Sequence, residues 1–213
     1  DCGMRAVVLH SYGGPEVLSI EEVADPVPGP DEVLVQVAAT ALNRADLLQR
    51  MGLYPDPRKA QPEIPGLEFA GTVAAVGSRV TMWQVGDRVM GITAGGAYAE
   101  RIAVHERQLL AVPATMPLTE AAAIPEVFLT AWDALVLQGG LTSGRWALVH
   151  AGASGVGTAS IQIAKAVGAR IAVTCSPGKA ALCRSLGADV VFDRSPSDWL
   201  AAAKAAVPAG FDT

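Results

Sequence analysis

The sequence predicts an α/β protein in two parts, a β-rich domain over residues 4–125 and an incomplete parallel-sheet domain over residues 126–213. Three observations support this prediction. Short apolar runs between Gly/Pro turns occupy the first part, strand and helix patterns alternate in the second, and a glycine-rich turn joins a strand to a helix at 150–158. Alternating strands and helices are typical of a parallel sheet with right-handed crossovers.

The N-terminal part is predicted to be a small irregular barrel. Its strands are expected at 5–9, 17–20, 32–37, 66–77, 86–91 and 98–104, where apolar and β-branched residues lie between turn residues. The Pro-rich segment 25–30 predicts a loop. Segment 43–51 has helical spacing, with Leu47 and Leu48 on one face.

From residue 118 the pattern changes to alternating helices and strands. A helix is predicted over 119–139, with Thr119 as its cap, an interruption at Pro125 and a resumption over 130–137. Strands are then predicted at 146–149, 170–174 and 189–192. Helices are predicted at 159–167, 178–186 and 197–206.

Composition excludes several classes of function. The net charge is −5 and no Lys/Arg cluster is present, which argues against nucleic acid as a partner. No apolar run reaches membrane-spanning length, so no membrane partner is expected. Cys2, Cys175 and Cys183 lie far apart, which predicts free thiols in a reducing compartment, and we expect a cytoplasmic protein.

The segment 150–158 predicts a phosphate-binding turn with the glycine spacing G-x-x-G-x-G. Gly152 is expected to adopt backbone angles closed to other residues, Gly155 to admit a pyrophosphate, and Gly157 to let helix and strand pack closely. Ser154 and Val156 lie in the same turn, where a helix N-terminus offers free N–H groups. The alternative is a tight strand–helix turn without a ligand.

The turn suggests a nicotinamide dinucleotide, and the residues that follow it predict that this cofactor is NADPH. NAD enzymes usually place an acid about 20 residues beyond the glycines, but segment 173–179 contains none. Ser176 and Lys179 are candidates to bind a 2′-phosphate, and Arg194 after the next strand is a third. Alternatively, Ser176 only caps the helix that starts at Pro177, and Lys179 is solvated.

Only three strands are predicted in the second part, whereas a complete dinucleotide fold has two mononucleotide-binding halves. A fourth strand is expected to begin at 211–213, where the sequence ends. We therefore interpret the sequence as a fragment or a truncated form. An unpaired sheet edge predicts poor solubility and weak activity for this length of chain.

Several motifs together give the chain a family resemblance. They are Ala41–Arg50, Pro65–Gly71, Val85–Met90, Ala122–Glu126 and His150–Gly157. With these motifs the sequence resembles the zinc-independent quinone oxidoreductases of the medium-chain dehydrogenase/reductase superfamily. Within that family it is most similar to the p53-inducible quinone reductase type and more distantly to ζ-crystallin.

The resemblance implies a GroES-like catalytic domain followed by a Rossmann domain, and a homodimer for the full-length form. It implies that Thr130 contacts the nicotinamide side of the cofactor; the alternative is an ordinary helix threonine. Zinc-dependent relatives have Cys at the position of Asn43 and His at that of Leu67. Neither Asn nor Leu is a good zinc ligand, so we expect no metal.

Without zinc, the expected reaction is direct hydride transfer from NADPH to an electron-poor quinone or activated enone. Asn43 is a candidate donor to the acceptor oxygen, or alternatively a helix cap. Gln49 and Tyr54 are candidates to line the acceptor pocket, although Tyr54 in its Pro-rich loop is also interpretable as a surface aromatic.

Two other functions fit the sequence. One is the enoyl reductase domain of a polyketide synthase, which the resemblance places in the same superfamily. The other is a catalytically inactive truncated product that binds partners or is unstable.

Overall fold

The computed structural model describes residues 3–57, 60–195 and 199–213. The chain divides into two compact units, Asp1–Glu126 and Val127–Thr213. The domain boundary predicted from the sequence, after residue 125, lies one residue before the boundary between these units.

The first unit is built on a five-stranded antiparallel sheet and a two-stranded hairpin. The strands of this unit are β1 (Gly3–Leu9), β2 (Leu18–Ala24), β3 (Glu32–Thr40), β4 (Glu68–Val76), β5 (Arg88–Ile92), β6 (Arg101–His105) and β7 (Leu109–Ala111). The large sheet has the order β6-β3-β4-β5-β7, and β1 pairs with β2. Val17, predicted as the first residue of a strand, is instead the last residue of a 3-10 turn over 15–17, and β2 starts at Leu18.

Strand β4 lies at the centre of this sheet and is buried on both faces over its first residues. Phe69 and Val73 belong to an apolar core with strands β3, β5 and β6. Ala70 belongs to a second core that includes Met90 and residues of the helical segment near 121. Since side chains alternate along a strand, Glu68 shares the face of Ala70 and is carried into this second apolar layer.

Two short helices complete the first unit, α1 (Arg44–Arg50) and α2 (Leu118–Ala121). The helix predicted over 119–139 is divided, since α2 ends at Ala121 and α3 (Pro125–Trp132) starts anew at Pro125. Thr119 is therefore inside α2 and is not its cap, which is Pro117. Pro125 begins a helix because a first-turn proline lacks only an N–H that has no intrahelical partner.

The second unit has a three-stranded parallel sheet in the order β10-β9-β8. Its strands are β8 (Trp146–Val149), β9 (Arg170–Cys175) and β10 (Val190–Asp193). Most of α3 and the π-helical segment Asp133–Gln138 precede β8, and the helices that follow it are α4 (Gly155–Ala166), α5 (Ala180–Ser185) and α6 (Trp199–Ala206). All three predicted strands are confirmed. Helix α4 begins four residues earlier than predicted, directly at the glycine turn, and residues 197–198 of the last predicted helix lie outside the described residues.

The free side of β8 is bordered by the segment 212–213. The N–H of Asp212 donates to the carbonyl of Trp146, and the N–H of Leu148 donates to the carbonyl of Thr213. The spatial order is therefore third, second and first strand, followed by this segment. That order matches the dinucleotide-binding sheet, in which the fourth strand lies beside the first and the ligand binds at the resulting switch point. The predicted fold class, a β-rich domain followed by a partial Rossmann sheet, is confirmed.

None of the helices within the described ranges is both long enough and apolar enough to span a bilayer.

Candidate functional site

The turn after β8 is tightly built, and its strained residue is not the one predicted. Ala151 has the positive φ of 54°, which is uncommon outside glycine. Gly152 has no positive φ, so the prediction that it needs special backbone angles is wrong. A Cβ on Gly152 would lie 2.5 Å from Cβ of Val173, so the glycine is needed for space against β9.

Gly157 allows helix α4 to approach the turn closely, as the sequence predicts. A Cβ on Gly157 would lie 2.4 Å from the carbonyl oxygen of Ala151 and 2.6 Å from Cα of Gly152. Backbone atoms cannot rotate away as a side chain can. Ser154 caps α4, and its hydroxyl accepts the N–H of Gly157 at 3.1 Å.

The first turn of α4 presents Gly155 and Val156 at the surface. Helix geometry leaves the first-turn amides without an intrahelical acceptor, and α4 has 12 residues, which gives its N-terminus a partial positive charge. A Cβ on Gly155 would lie 2.9 Å from Cγ1 of Val127. Gly155 thus has a packing role besides the pyrophosphate contact that remains predicted for it.

A cavity of about 180 Å³ opens beside this turn and brings together residues from three loops. Its lining consists of Ala151, Ala153, Ser154, Cys175, Ser176, Lys179 and Arg194. Two of these seven residues carry a positive charge and none carries a negative charge. The volume is below the range of about 300–1,000 Å³ usual for whole ligands, so the cavity suits one portion of a dinucleotide.

Ser176 occupies the N-cap position of the 3-10 turn Pro177–Lys179, but its side chain makes no capping hydrogen bond. Its hydroxyl therefore remains available to the cavity. Thr130 lies in α3 and is exposed, and it is not among the residues that line this cavity. The predicted contact of Thr130 with the nicotinamide stays a prediction.

In the first unit, Asn43 connects two carboxylates. Its side-chain amide donates to Oε1 of Glu68 at 2.8 Å. Its backbone N–H, at the N-cap of α1, donates to Oδ2 of Asp46 at 2.7 Å. The same Oδ2 accepts the hydroxyl of Tyr98 at 2.7 Å, and Oε2 of Glu68 accepts the backbone N–H of Glu126 at 2.9 Å. We call Asn43, Asp46, Glu68, Tyr98 and Glu126 the carboxyl network.

The network lies mostly inside the protein. Glu68 is 1% exposed and Asp46 is 7% exposed, whereas Asn43, Tyr98 and Glu126 are half-buried. Burial raises the pKa of Glu68, despite the two hydrogen bonds that favour its charged form. Burial also raises the pKa of Glu126, and the charges of Glu68 and Asp46 raise it further. Burial and the bond to Asp46 raise the pKa of the Tyr98 hydroxyl.

Sequence reasoning identified Asn43 but missed the other members of the network. The available signal was Glu68, a charged residue inside the apolar run 67–71. Such a residue is buried only at a cost unless it is hydrogen-bonded.

The other two predicted acceptor residues lie in different environments. Gln49 is 1% exposed and its amide donates to Glu63 at 2.9 Å, which supports a structural role rather than contact with an acceptor. Tyr54 is 46% exposed and follows α1 in a turn. Its predicted place in an acceptor pocket stays a prediction.

Within the described ranges, no three His, Cys, Asp or Glu side chains are arranged to hold a metal ion. The three histidines have local partners, namely Glu21 for His10, the Arg107 backbone for His105 and Thr174 for His150. Cys175 and Cys183 are free and buried, and Cys2 lies outside the described residues.

Models of two protein families match the chain. The alcohol dehydrogenase GroES-like domain matches residues 29–114, and the zinc-binding dehydrogenase model matches residues 155–213. Among solved structures, the human synaptic vesicle membrane protein VAT-1 homolog-like protein superposes with a TM-score of 0.90 at 32% identity, covering 99% of this chain and 67% of that one. The CurK enoyl reductase gives a TM-score of 0.88 at 32% identity, covering 98% and 64%.

The curated relatives include enzymes whose names describe the reduction of quinones or enones. The quinone oxidoreductase of Pseudomonas aeruginosa is 42% identical over 90% of this chain and 59% of its own length. The 2-methylene-furan-3-one reductase of Solanum lycopersicum is 38% identical over 89% of this chain and 52% of its own. The chain thus spans little more than half the length of these relatives. It belongs to the medium-chain dehydrogenase/reductase superfamily, whose members bind NAD(P).

Proposed function

We propose that this chain belongs to an NADPH-dependent reductase that transfers a hydride to a quinone or an activated enone without a metal. The observation that carries the proposal is the cavity beside the glycine turn, whose charged residues are Lys179 and Arg194. A carboxylate would favour the ribose hydroxyls of NADH, whereas two cations and a serine hydroxyl favour the 2′-phosphate of NADPH.

The turn itself fits a dinucleotide. The positions of Gly152 and Gly157 leave no room for a Cβ, so the backbone is held in a compact curve at the N-terminus of α4. When bound, the cofactor supplies the hydride. The protein binds the pyrophosphate with the exposed first-turn amides of Gly155 and Val156, and the adenosine phosphate with Ser176, Lys179 and Arg194.

Asn43 and Leu67 stand where zinc-dependent relatives have zinc ligands, and neither residue is suited to bind zinc. Leu67 is apolar and 5% exposed, and the side-chain amide of Asn43 is directed with an N–H towards Glu68. A zinc ligand must offer a lone pair from Cys, His or a carboxylate. We therefore assign Asn43 to the acceptor, because a primary amide has a second N–H for the acceptor oxygen.

The names of the relatives, a quinone oxidoreductase and a 2-methylene-furan-3-one reductase, support a quinone or an activated enone as the acceptor. Quinones and activated enones are electron-poor enough to accept a hydride without a Lewis acid. The composition also supports the further proposals of a cytoplasmic enzyme that does not bind nucleic acid, and the family supports a homodimer in the full-length form.

The experiment is to follow NADPH oxidation with purified protein and a panel of quinones and 2-enones, with parallel assays in NADH. We expect one NADPH consumed per acceptor reduced, and slower turnover with NADH. Failure to oxidise NADPH with every acceptor, or equal rates with NADH, contradicts the proposal.

Reversing the charge at Lys179 tests the cofactor preference. Lys179→Glu is expected to weaken NADPH binding by about 1–3 kcal/mol, because a charge-assisted bond is replaced by repulsion. NADH binding should change much less. Lys204→Glu is the matched control, since Lys204 is exposed on α6 outside the cavity. Equal losses for NADPH and NADH on fluorescence titration would disprove the assignment.

A second candidate is an enoyl reductase of a polyketide synthase, which the similarity to CurK favours. The cofactor site would be the same, and only the acceptor would differ. Preferential reduction of 2-enoyl thioesters over quinones in the same panel would select this candidate.

A further inference from the structure

The two thiols that the structure describes, Cys175 and Cys183, lie side by side. Cys175 is the last residue of β9, and Cys183 is a buried residue of α5. Both are free, both belong to the same apolar core, and a hydrogen bond joins their side chains. The chain between them passes through the 3-10 turn Pro177–Lys179. Because a disulfide requires two sulfurs that the fold already holds together, this pair meets the first condition for one.

The same pair adjoins the residues proposed to bind the 2′-phosphate. Cys175 lines the cavity beside the glycine turn. Ser176 and Lys179 lie between the two cysteines in the chain, and the backbone N–H of Arg194 donates to the carbonyl of Cys175 at 3.1 Å. Each of the three phosphate candidates is therefore attached to the short segment 175–183. A bond between the side chains at its two ends acts on all of them.

The two thiols differ in their access to a reagent. Cys183 is fully buried, whereas Cys175 lines the cavity, although only 3% of its surface is exposed. Burial raises the pKa of the Cys183 thiol, and the bond to Cys175 raises it further. A small reagent that enters the cavity therefore meets Cys175 first, and Cys183 is the thiol behind it.

We propose that Cys175 and Cys183 form a redox pair, in which hydrogen peroxide oxidises Cys175, Cys183 closes a disulfide, and the disulfide weakens binding of the 2′-phosphate. The inference rests on the proposed function, which assigns the cavity to NADPH. Peroxide suits a cavity of about 180 Å³ because it is small and uncharged. In a reducing compartment such a disulfide is transient, as redox-sensing disulfides usually are.

The atoms and electrons balance over two steps. The sulfur of Cys175 attacks one oxygen of the peroxide, the O–O bond breaks, and the thiol proton leaves with the other oxygen as water, which gives a sulfenic acid. The sulfur of Cys183 then attacks the sulfur of Cys175. The S–O bond breaks, the S–S bond forms, and the hydroxyl leaves with the Cys183 proton as a second water. Two thiols lose two electrons in total, and one peroxide accepts them.

The disulfide changes the phosphate site through geometry. A covalent S–S bond is shorter than a contact between two thiols, so the bond draws α5 towards the end of β9. The loop that carries Ser176 and Lys179 must then adjust, and so must the backbone bond from Arg194 to Cys175. Hydrogen bonds weaken steeply when they are misaligned, so we expect the affinity for the phosphate to fall about tenfold or more.

Peptide mapping tests the pair without any variant. The full chain is reduced with dithiothreitol, freed of it, treated with hydrogen peroxide and digested under non-reducing conditions. We expect a peptide cross-linked between Cys175 and Cys183, which dithiothreitol separates again. Peroxide that leaves both thiols free overturns the proposal.

Two cysteine variants test the order of the steps. In Cys183→Ala the disulfide cannot form, so dimedone should trap the sulfenic acid on Cys175. Cys2→Ser is the matched control, because Cys2 is not a member of the pair, and it should form the same cross-link as the wild type. Dimedone on Cys2 alone in Cys183→Ala would overturn Cys175 as the thiol that peroxide attacks. If Cys183→Ala does not fold, the wild-type map and its reversal still decide the proposal.

Calorimetry with adenosine 2′,5′-bisphosphate measures the effect on the site. We expect the oxidised protein to bind at least about tenfold more weakly than the reduced protein, with full recovery after dithiothreitol. A disulfide that leaves the affinity unchanged overturns the effect on binding and leaves the cofactor site intact. Reduced protein that binds no bisphosphate overturns the proposed cofactor, whereas the peptide map still decides whether the two thiols form a pair.

Discussion

Gly157→Ala is expected to abolish nucleotide binding by the second unit. The added Cβ would lie 2.4 Å from the Ala151 carbonyl oxygen and 2.6 Å from the Gly152 backbone, distances that force helix and turn apart. We expect a loss of stability of about 3 kcal/mol, at the upper end of overpacking costs. Displacement of the turn moves the first-turn amides from the phosphate position. NADPH affinity, measured by calorimetry, should therefore fall below detection.

The matched control is Gly178→Ala. Gly178 adjoins the same cavity through Pro177–Lys179, but a Cβ there meets no atom within 4 Å. This variant should bind NADPH as the wild type does. Wild-type affinity in Gly157→Ala would show that the turn is not the cofactor site.

Phe69→Ala is expected to cause the largest loss of stability in the first unit. Phe69 is fully buried in β4 and packs with Val33, Val35 and Val73. Removing a buried aromatic ring costs about 3–5 kcal/mol, because apolar contact is lost and a cavity remains. Denaturant unfolding monitored by circular dichroism measures the change.

Leu110→Ala is the comparison for Phe69→Ala. Leu110 is 44% exposed on β7 and should cost much less on truncation. Similar losses in the two variants would show that the side of β4 carrying Phe69 is not the core of this unit.

The order of elements in the second unit was predictable from the sequence because its signals are local. A buried strand, three glycines and an amphipathic helix follow each other directly over 146–167, and each boundary depends on neighbouring residues. The boundaries were less accurate where packing decides them. Helix α4 starts at Gly155, not at residue 159 as predicted, because Ser154 caps it.

The glycine roles show what local reasoning cannot reach. Gly152 was predicted to need unusual backbone angles, yet it is required by Val173, a residue of another strand. The positive φ belongs to Ala151, which no turn rule selects. Both facts depend on how the second parallel strand lies against the turn.

The carboxyl network was not predictable as a group. Its members come from α1, β4, the segment before β6 and α3, and only folding brings them together. Of the predicted acceptor residues, Asn43 is part of this network, whereas Gln49 is buried against Glu63. Helical spacing gave no indication of this, because Gln49 is polar and was expected to line the acceptor pocket.

The most direct test of the central claim, that the cavity beside the glycine turn recognises the 2′-phosphate of NADPH, is a calorimetric titration with adenosine 2′,5′-bisphosphate and with adenosine 5′-monophosphate. The two probes differ only in the 2′-phosphate, and neither contains the nicotinamide. The difference in their affinities therefore reports on the contacts of the 2′-phosphate with Ser176, Lys179 and Arg194. We predict saturable binding of the bisphosphate, at least about tenfold weaker binding of the monophosphate, and loss of this difference in Lys179→Glu. Equal binding of the two probes, or none of either, would contradict the account.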